Sequence, residues 1–184
     1  HKVAEEYVRQ KGAQTIEHIA QEVLNGNIHI EENTPAPPLT GDYIQKFPEH
    51  VRHVKTLTDR IGFDGLTEHK FRYDLDPPNG RFLTGFIDRL IIRGDKYFIL
   101  DYKTTKKGFW RKNNNTIKKD LQLRCYGRVV QREFGAKAEN IQAALLYLEG
   151  NELVSVRFND EMLITAEQEL LDAYRHIETT HPDD

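Results

Sequence analysis

The sequence predicts an α/β protein built on a central mixed β-sheet flanked by helices. Apolar residues recur at helical spacing through the first sixty positions, and from Leu66 the period changes to two. Helical spacing returns over 118–134 and 160–178, with two short alternating runs between them. The chain has no Gly-rich phosphate loop and no dinucleotide fingerprint, so this order of elements does not read as a doubly wound nucleotide fold.

The first two predicted helices cover 3–10 and 14–24, broken at Lys11-Gly12 and ended by Asn25-Gly26-Asn27. Pro35, Pro37 and Pro38 make 31–40 a surface loop. Over 41–60, Tyr43, Ile44, Phe47, Val51, Val54 and Leu57 keep helical spacing. Pro48 lies inside that stretch and is expected to divide it, because proline lacks an N–H and crowds the preceding turn. A strand follows over 66–74, then the turn Asp76-Pro77-Pro78-Asn79-Gly80, then a hairpin of 82–92 and 96–103 around Gly94-Asp95. Residues 104–117 are polar, with Asn113-Asn114-Asn115 at the tip. A helix over 118–134 ends at Gly135, strands 141–148 and 152–158 flank Gly150-Asn151, and the last helix takes Asp160 as its expected N-cap. No internal repeat is present.

Composition narrows the function classes. The single cysteine, Cys125, excludes a disulfide framework and a Cys-ligated zinc or iron–sulfur site, and suggests a reducing, cytoplasmic setting. No apolar run reaches about 18 residues, so no membrane span is expected, and the acidic, amphipathic start is unlike a signal peptide. The net charge of −3 argues against a generally basic nucleic-acid coat. The charge is uneven, however. Residues 102–132 hold ten Lys or Arg against one acid, Asp120, whereas 151–184 hold two Arg against nine acids. The basic stretch is what a polyanion would need; it also fits a solvated helix face plus a charged loop.

The chemistry concentrates in the hairpin. Gly85-Phe86-Ile87-Asp88-Arg89 lies on one strand and Asp101-Tyr102-Lys103 on the next, so two carboxylates and a lysine come to the same end of a sheet. Two acids that close repel unless a cation lies between them, and oxygen ligands of this kind suit Mg²⁺ or Mn²⁺. Lys103, two residues after Asp101, shares its strand face and can orient an attacking water beside the metal. This is the donor set of metal-assisted phosphodiester hydrolysis.

Gly-x-x-Asp-Arg over 85–89, Asp-Tyr-Lys-Thr over 101–104 and Gln122-x-x-x-Tyr126, in that order and on strand, strand and helix, resemble the RecB-type branch of the PD-(D/E)XK nuclease superfamily. The resemblance covers roughly 12–150 and implies a restriction-endonuclease-like core in one domain, with 1–60 as a helical part, 61–160 as the catalytic core and 161–184 as a C-terminal helix. It implies Asp88, Asp101 and Lys103 as catalytic residues. The metal ligands it implies are Asp88, Asp101, the Tyr102 carbonyl, His18 on an early helix and Glu68 on the preceding strand, around one or two ions. Alternation alone leaves open whether Glu68 faces the site or solvent. Arg89 reads equally as a structural ion pair or a DNA contact.

Gln122 and Tyr126, four apart on a helix, would brace the site or touch substrate, with Arg124, Thr104 and Lys106 as further substrate contacts. Lys106, Lys107, Arg111 and Lys112 are expected on a loop that orders on DNA, with Phe109 or Trp110 stacking on bases. The implied activity is a DNA exonuclease leaving 5′-phosphate and 3′-hydroxyl ends, acting on single strands or duplex ends. With no helicase motif in the sequence, any helicase is expected as a separate chain or a missing part, with a helicase or recombination protein as a candidate partner. A non-catalytic DNA-end-binding subunit and an RNA-directed nuclease are the competing readings.

Overall fold

The structure, a computed structural model, describes residues 1–28, 41–105, 108 and 110–180. The observed order is α1 (Lys2–Arg9), α2 (Ile16–Leu24), α3 (Gly41–Ile61), β1 (Leu66–Asp76), β2 (Arg81–Arg93), β3 (Lys96–Lys103), α4 (Leu121–Phe134), β4 (Ile141–Tyr147), β5 (Glu152–Arg157) and α5 (Asp160–Thr180), with short 3₁₀ turns at 77–79, 117–119 and 138–140. The five strands form one sheet in sequence order, antiparallel except for the β3–β4 pair, which is parallel. The expected α/β class and mixed sheet are therefore observed. A parallel pair needs a crossover, and α4 supplies it.

Two apolar layers hold the sheet. On one face, α4 and α5 bury Leu123, Val129, Val130 and Leu163 against Ile99, Ala143 and Leu145. On the other, α1 to α3 bury Val3, Ile16, Ile19 and Val54 against Leu100, Tyr102 and Leu146. Alternation along β3 decides which residue serves which layer, with Ile99 on the first and Leu100 and Tyr102 on the second.

Two local expectations are corrected. Pro48 lies inside one continuous helix. Pro48 and Ile44 are on its exposed side, where the carbonyl freed by the missing N–H faces solvent, while Val51, Val54 and Leu57 carry the buried stripe on. The N-cap of α5 is Asn159, whose Oδ1 accepts from Met162 N–H at 2.9 Å; Asp160 instead accepts from Gln131.

Two glycines fix close approaches. Gly127 on α4 faces Phe158 and Leu163, where a Cβ would stand 2.8 Å from each. Gly65 enters β1 at φ +112°, and a Cβ there would lie 2.6 Å from the Leu90 carbonyl oxygen.

The feature that positions the site is a fork in the sheet. β2 pairs with β3 only from Arg93↔Lys96 to Arg89↔Leu100. Beyond that point β2 stays with β1 as far as Asp76↔Arg81, and β3 stays with β4 as far as Lys103↔Tyr147. At the fork the β1–β2 arm also exchanges faces. Leu90 pairs with Ile99 in the α4-facing layer, yet Gly85 also lies on that side, facing the Phe71 ring that meets Tyr126 edge-on. The exchange coincides with Glu68, which holds φ +47° inside a strand, a conformation that costs an L-residue.

Candidate active site

Asp88 and Asp101 are the first residues past the fork, one on each arm. Where the β2–β3 ladder stops, the Asp88 side chain takes over its role: Oδ2 accepts the Tyr102 backbone N–H at 2.8 Å. That bond ties the two arms together and fixes the carboxylate. Glu68 lies between the Thr67↔Arg89 and His69↔Ile87 pairs, opposite Asp88. His1, just before α1, brings Nδ1 to 3.4 Å from Asp88 Oδ2. Ligand atoms of His1, Glu68 and Asp88 all lie within 4.8 Å of one another.

Asp101 is 1% exposed. Lys103 Nζ stands 2.7 Å from its Oδ2, but no donor meets that oxygen with hydrogen-bond geometry. Burial, and then the Asp88 charge, push the Asp101 carboxyl up to about 6 in spite of Lys103. Burial and Asp88 likewise raise Glu68, and the hydrogen bond to Asp88 raises the His1 imidazole. Crowded carboxylates with raised pKa and an under-satisfied buried oxygen are what a cation would relieve. Two carboxylates, an imidazole and a third acid beside them fit a hard divalent ion.

Lys103 is held from its other side. Nζ donates to Gln122 Oε1 at 2.8 Å, and Gln122 Nε2 donates to Tyr126 Oη at 2.8 Å. Burial, and then Asp101, raise the Tyr126 phenol, keeping it neutral. The spacing of Gln122 and Tyr126 on one helix face thus connects α4 to the end of β3.

A model of the PD-(D/E)XK nuclease superfamily matches residues 1–181. The chain belongs to this superfamily. Asp88 and the Asp-x-Lys sequence Asp101-Tyr102-Lys103 lie at the fork. No curated protein matches the chain. Fifteen chains among solved structures do, one of them described as "Crystal structure of SSO0001", with 15% identity over 92% of this chain and 73% of that one and a TM-score of 0.39. PD-(D/E)XK nucleases use divalent metal ions, and no helix among the described residues is long and apolar enough to cross a membrane.

Other expected site residues are distributed differently. His18 is not brought to the His1, Glu68 and Asp88 cluster. Thr15 caps α2 by accepting the His18 N–H, and burial of Ile16, Ile19 and Ala20 turns residue 18 outward to solvent. The imidazole at the aspartates is that of His1, which the sequence reading missed. Its signal was its place on the helical stripe with Ala4 and Val8, both buried. His53 bonds to the Leu148 carbonyl, His69 pairs with Glu133, and His50 is buried beside the cavity that His1 also lines. The Tyr102 ring is buried among the α1–α3 contacts and meets the His1 ring edge-on at 6.2 Å, while its backbone N–H reaches Asp88. Thr104 is exposed and lines a small cavity with His1 and Tyr102.

The basic stretch is largely committed within the protein. Arg124, expected to meet substrate, is 6% exposed and grips Glu169 through both Nη atoms at 2.9 and 2.8 Å. Arg128 pairs with Glu167 at 2.7 Å. Arg111, expected on a DNA-ordered loop, has a side chain only 6% exposed and donates to the carbonyls of Thr105 and Glu149. Lys112 lies 4.0 Å from Asp120. The acidic C-terminal stretch therefore neutralises part of the basic one across the α4–α5 interface. Arg89 is fully buried and bonds through Nη2 to the carbonyls of Gly62 and Asp64, a structural role. Lys106, Lys107 and Phe109 lie outside the described residues.

Proposed function

We propose that this chain is a Mg²⁺- or Mn²⁺-dependent deoxyribonuclease of the RecB-type branch, acting as an exonuclease that leaves 5′-phosphate and 3′-hydroxyl ends. The observation that carries the reading is the linkage of Asp101, Lys103, Gln122 and Tyr126 beside the His1, Glu68 and Asp88 cluster. Asp88 and Asp101 would hold the metal, with Glu68, His1 and the Tyr102 carbonyl completing its shell. A bound divalent ion supplies Lewis-acid polarisation of a phosphoryl oxygen and acidifies a water.

The chain's own groups do the rest. Lys103, held between Asp101 and Gln122, presents an ammonium where an attacking hydroxide or a non-bridging phosphate oxygen would sit. Gln122 keeps that ammonium from collapsing wholly onto Asp101, and Tyr126 fixes the Gln122 amide. The RecB-type motifs support action on DNA ends and the product chemistry; a helicase or recombination protein would be a partner.

The test is incubation with end-labelled single- and double-stranded DNA, and with single-stranded RNA, in Mg²⁺, Mn²⁺ or EDTA. The expected result is metal-dependent release of short DNA products with 5′-phosphates, abolished by Asp88→Ala and by Asp101→Ala. Binding without cleavage in either metal would replace the reading with a DNA-end-binding subunit. Preference for RNA would overturn the substrate.

A further inference from the structure

We propose that the outer face of the β1–β2 arm is a docking track for single-stranded nucleic acid leading to the metal cluster; this rests on the nuclease reading. The register lays out the track. Two residues beyond the level of Glu68 and Asp88, Lys70 stands opposite Phe86; two further on, Arg72 stands opposite Thr84; then Asp74 stands opposite Phe82. Each step is about 6.8 Å along a strand. Because the arm exchanges faces at Glu68, the α4 side of this segment takes Phe71 and Tyr73, and the other side is left to these six residues, all exposed.

Two phenyl rings on a solvent-facing strand are an unusual expense of apolar surface. Phe86 is 38% and Phe82 37% exposed. Each carries a cation: Arg72 lies over the Phe82 ring at 3.7 Å, and Lys70 over Phe86 at 5.9 Å. Rings and guanidinium planes are platforms for unstacked bases, while a duplex, whose bases are already stacked, has no use for them.

The path between Phe86 and the cluster is open and basic. A groove of about 450 Å³ runs between the end of α1 and the start of β1, lined by Lys11, Glu68 and Lys70 among others. Lys11 projects from a turn at φ +50°, held beside Gly12, whose Cα faces the Phe63 ring. Neither Lys11 nor Lys70 has a carboxylate partner among the described residues, in contrast to Arg124, Arg128 and Arg111. Among the described residues, Lys11 and Lys70 are thus uncommitted cations on this side of the cluster. A polyanion with exposed bases matches both the charge and the rings.

The test measures binding of a fluorescein-labelled oligothymidylate in EDTA, where no cleavage occurs, across a salt series. Phe86→Ala should weaken binding about 5- to 150-fold, the scale of one lost base stack, and Phe86→Trp should restore it. Lys11→Ala with Lys70→Ala should lower the salt slope by about 1.4, two phosphate contacts on a single strand. Thermal melts establish that the variants are folded; if Phe86→Ala is not, the lysine pair decides. Unchanged affinity and slope in these variants, or equal losses on a blunt duplex, would overturn the track while leaving the nuclease reading intact. Loss of binding in the variants of a parent that binds but cleaves in neither metal would uphold the track and overturn the nuclease.

Discussion

Asp101→Asn should make the metal-free protein more stable at neutral pH while destroying its activity. The Asp101 carboxyl is 1% exposed and titrates at about 6, up from 3.8, because it is buried and faces Asp88. The folded protein therefore holds a proton between pH 4 and pH 6 that the unfolded chain has released. Stability falls as pH rises through that window and is flat above it. At about 1.36 kcal/mol per unit, a rise of roughly two units costs about 3 kcal/mol above pH 6. Asparagine has the same shape and no charge, so it should match the parent near pH 4 and exceed it at pH 8. Loss of the Lys103 ion pair is already included, since that attraction opposes the upward shift. A gain of about 1–3 kcal/mol corresponds to roughly 2–12 °C in Tm for a chain of this size. Melting curves of both proteins in EDTA from pH 4 to 8.5 measure it, and comparison at each pH cancels the other titrating groups. Added Mn²⁺ should then raise the Tm of the parent more than that of the variant. A pH-independent difference, or a variant less stable than the parent at pH 8, would refute the account of Asp101 as a carboxylate held for a cation.

The other predictions test neighbouring parts of the same arrangement. Lys103→Ala should slow single-turnover cleavage by about 10²-fold or more with Mn²⁺ affinity by calorimetry little changed, and Gln122→Ala should fall between it and the parent. His1→Ala should weaken Mn²⁺ binding measurably, whereas His18→Ala should leave it unchanged; the reverse would restore His18 to the shell. Gly65→Ala forces a Cβ against the Leu90 carbonyl and should destabilise by about 2 kcal/mol or more in urea titrations. Arg124→Ala leaves Glu169 unpaired and opens the α4–α5 contact, so stability should fall by about 1–3 kcal/mol without any change in the salt slope of DNA binding.

Much of the fold was legible because its signals are local. Period-two runs from Leu66, Asp76-Pro77-Pro78-Asn79-Gly80 and Gly94-Asp95 locate β1, β2 and β3 within a residue or two of where they lie. The same alternation puts Asp101 and Lys103 on one face of β3, and helical spacing puts Gln122 and Tyr126 together. Pro48 was misread because the rule for proline in a helix does not say which side faces solvent. Asp160 was misread because Asn159, one position earlier, is the better placed cap.

By itself the sequence determined the α/β class, the order of strands along the chain, and the placing of Asp88, Asp101 and Lys103 at one end of the sheet, since each depends on local patterning. Tertiary structure alone decided the partners. His1 reaches Asp88 across nearly ninety residues, and Arg124 meets Glu169 rather than a phosphate, because charges pair through space and composition does not say with whom. The fork at Arg89↔Leu100 and the exchange of faces at Glu68 were likewise invisible in the sequence. Alternation gives two faces to a strand, but only packing against α1 and α4 selects which of them turns toward the acidic cluster and which toward solvent.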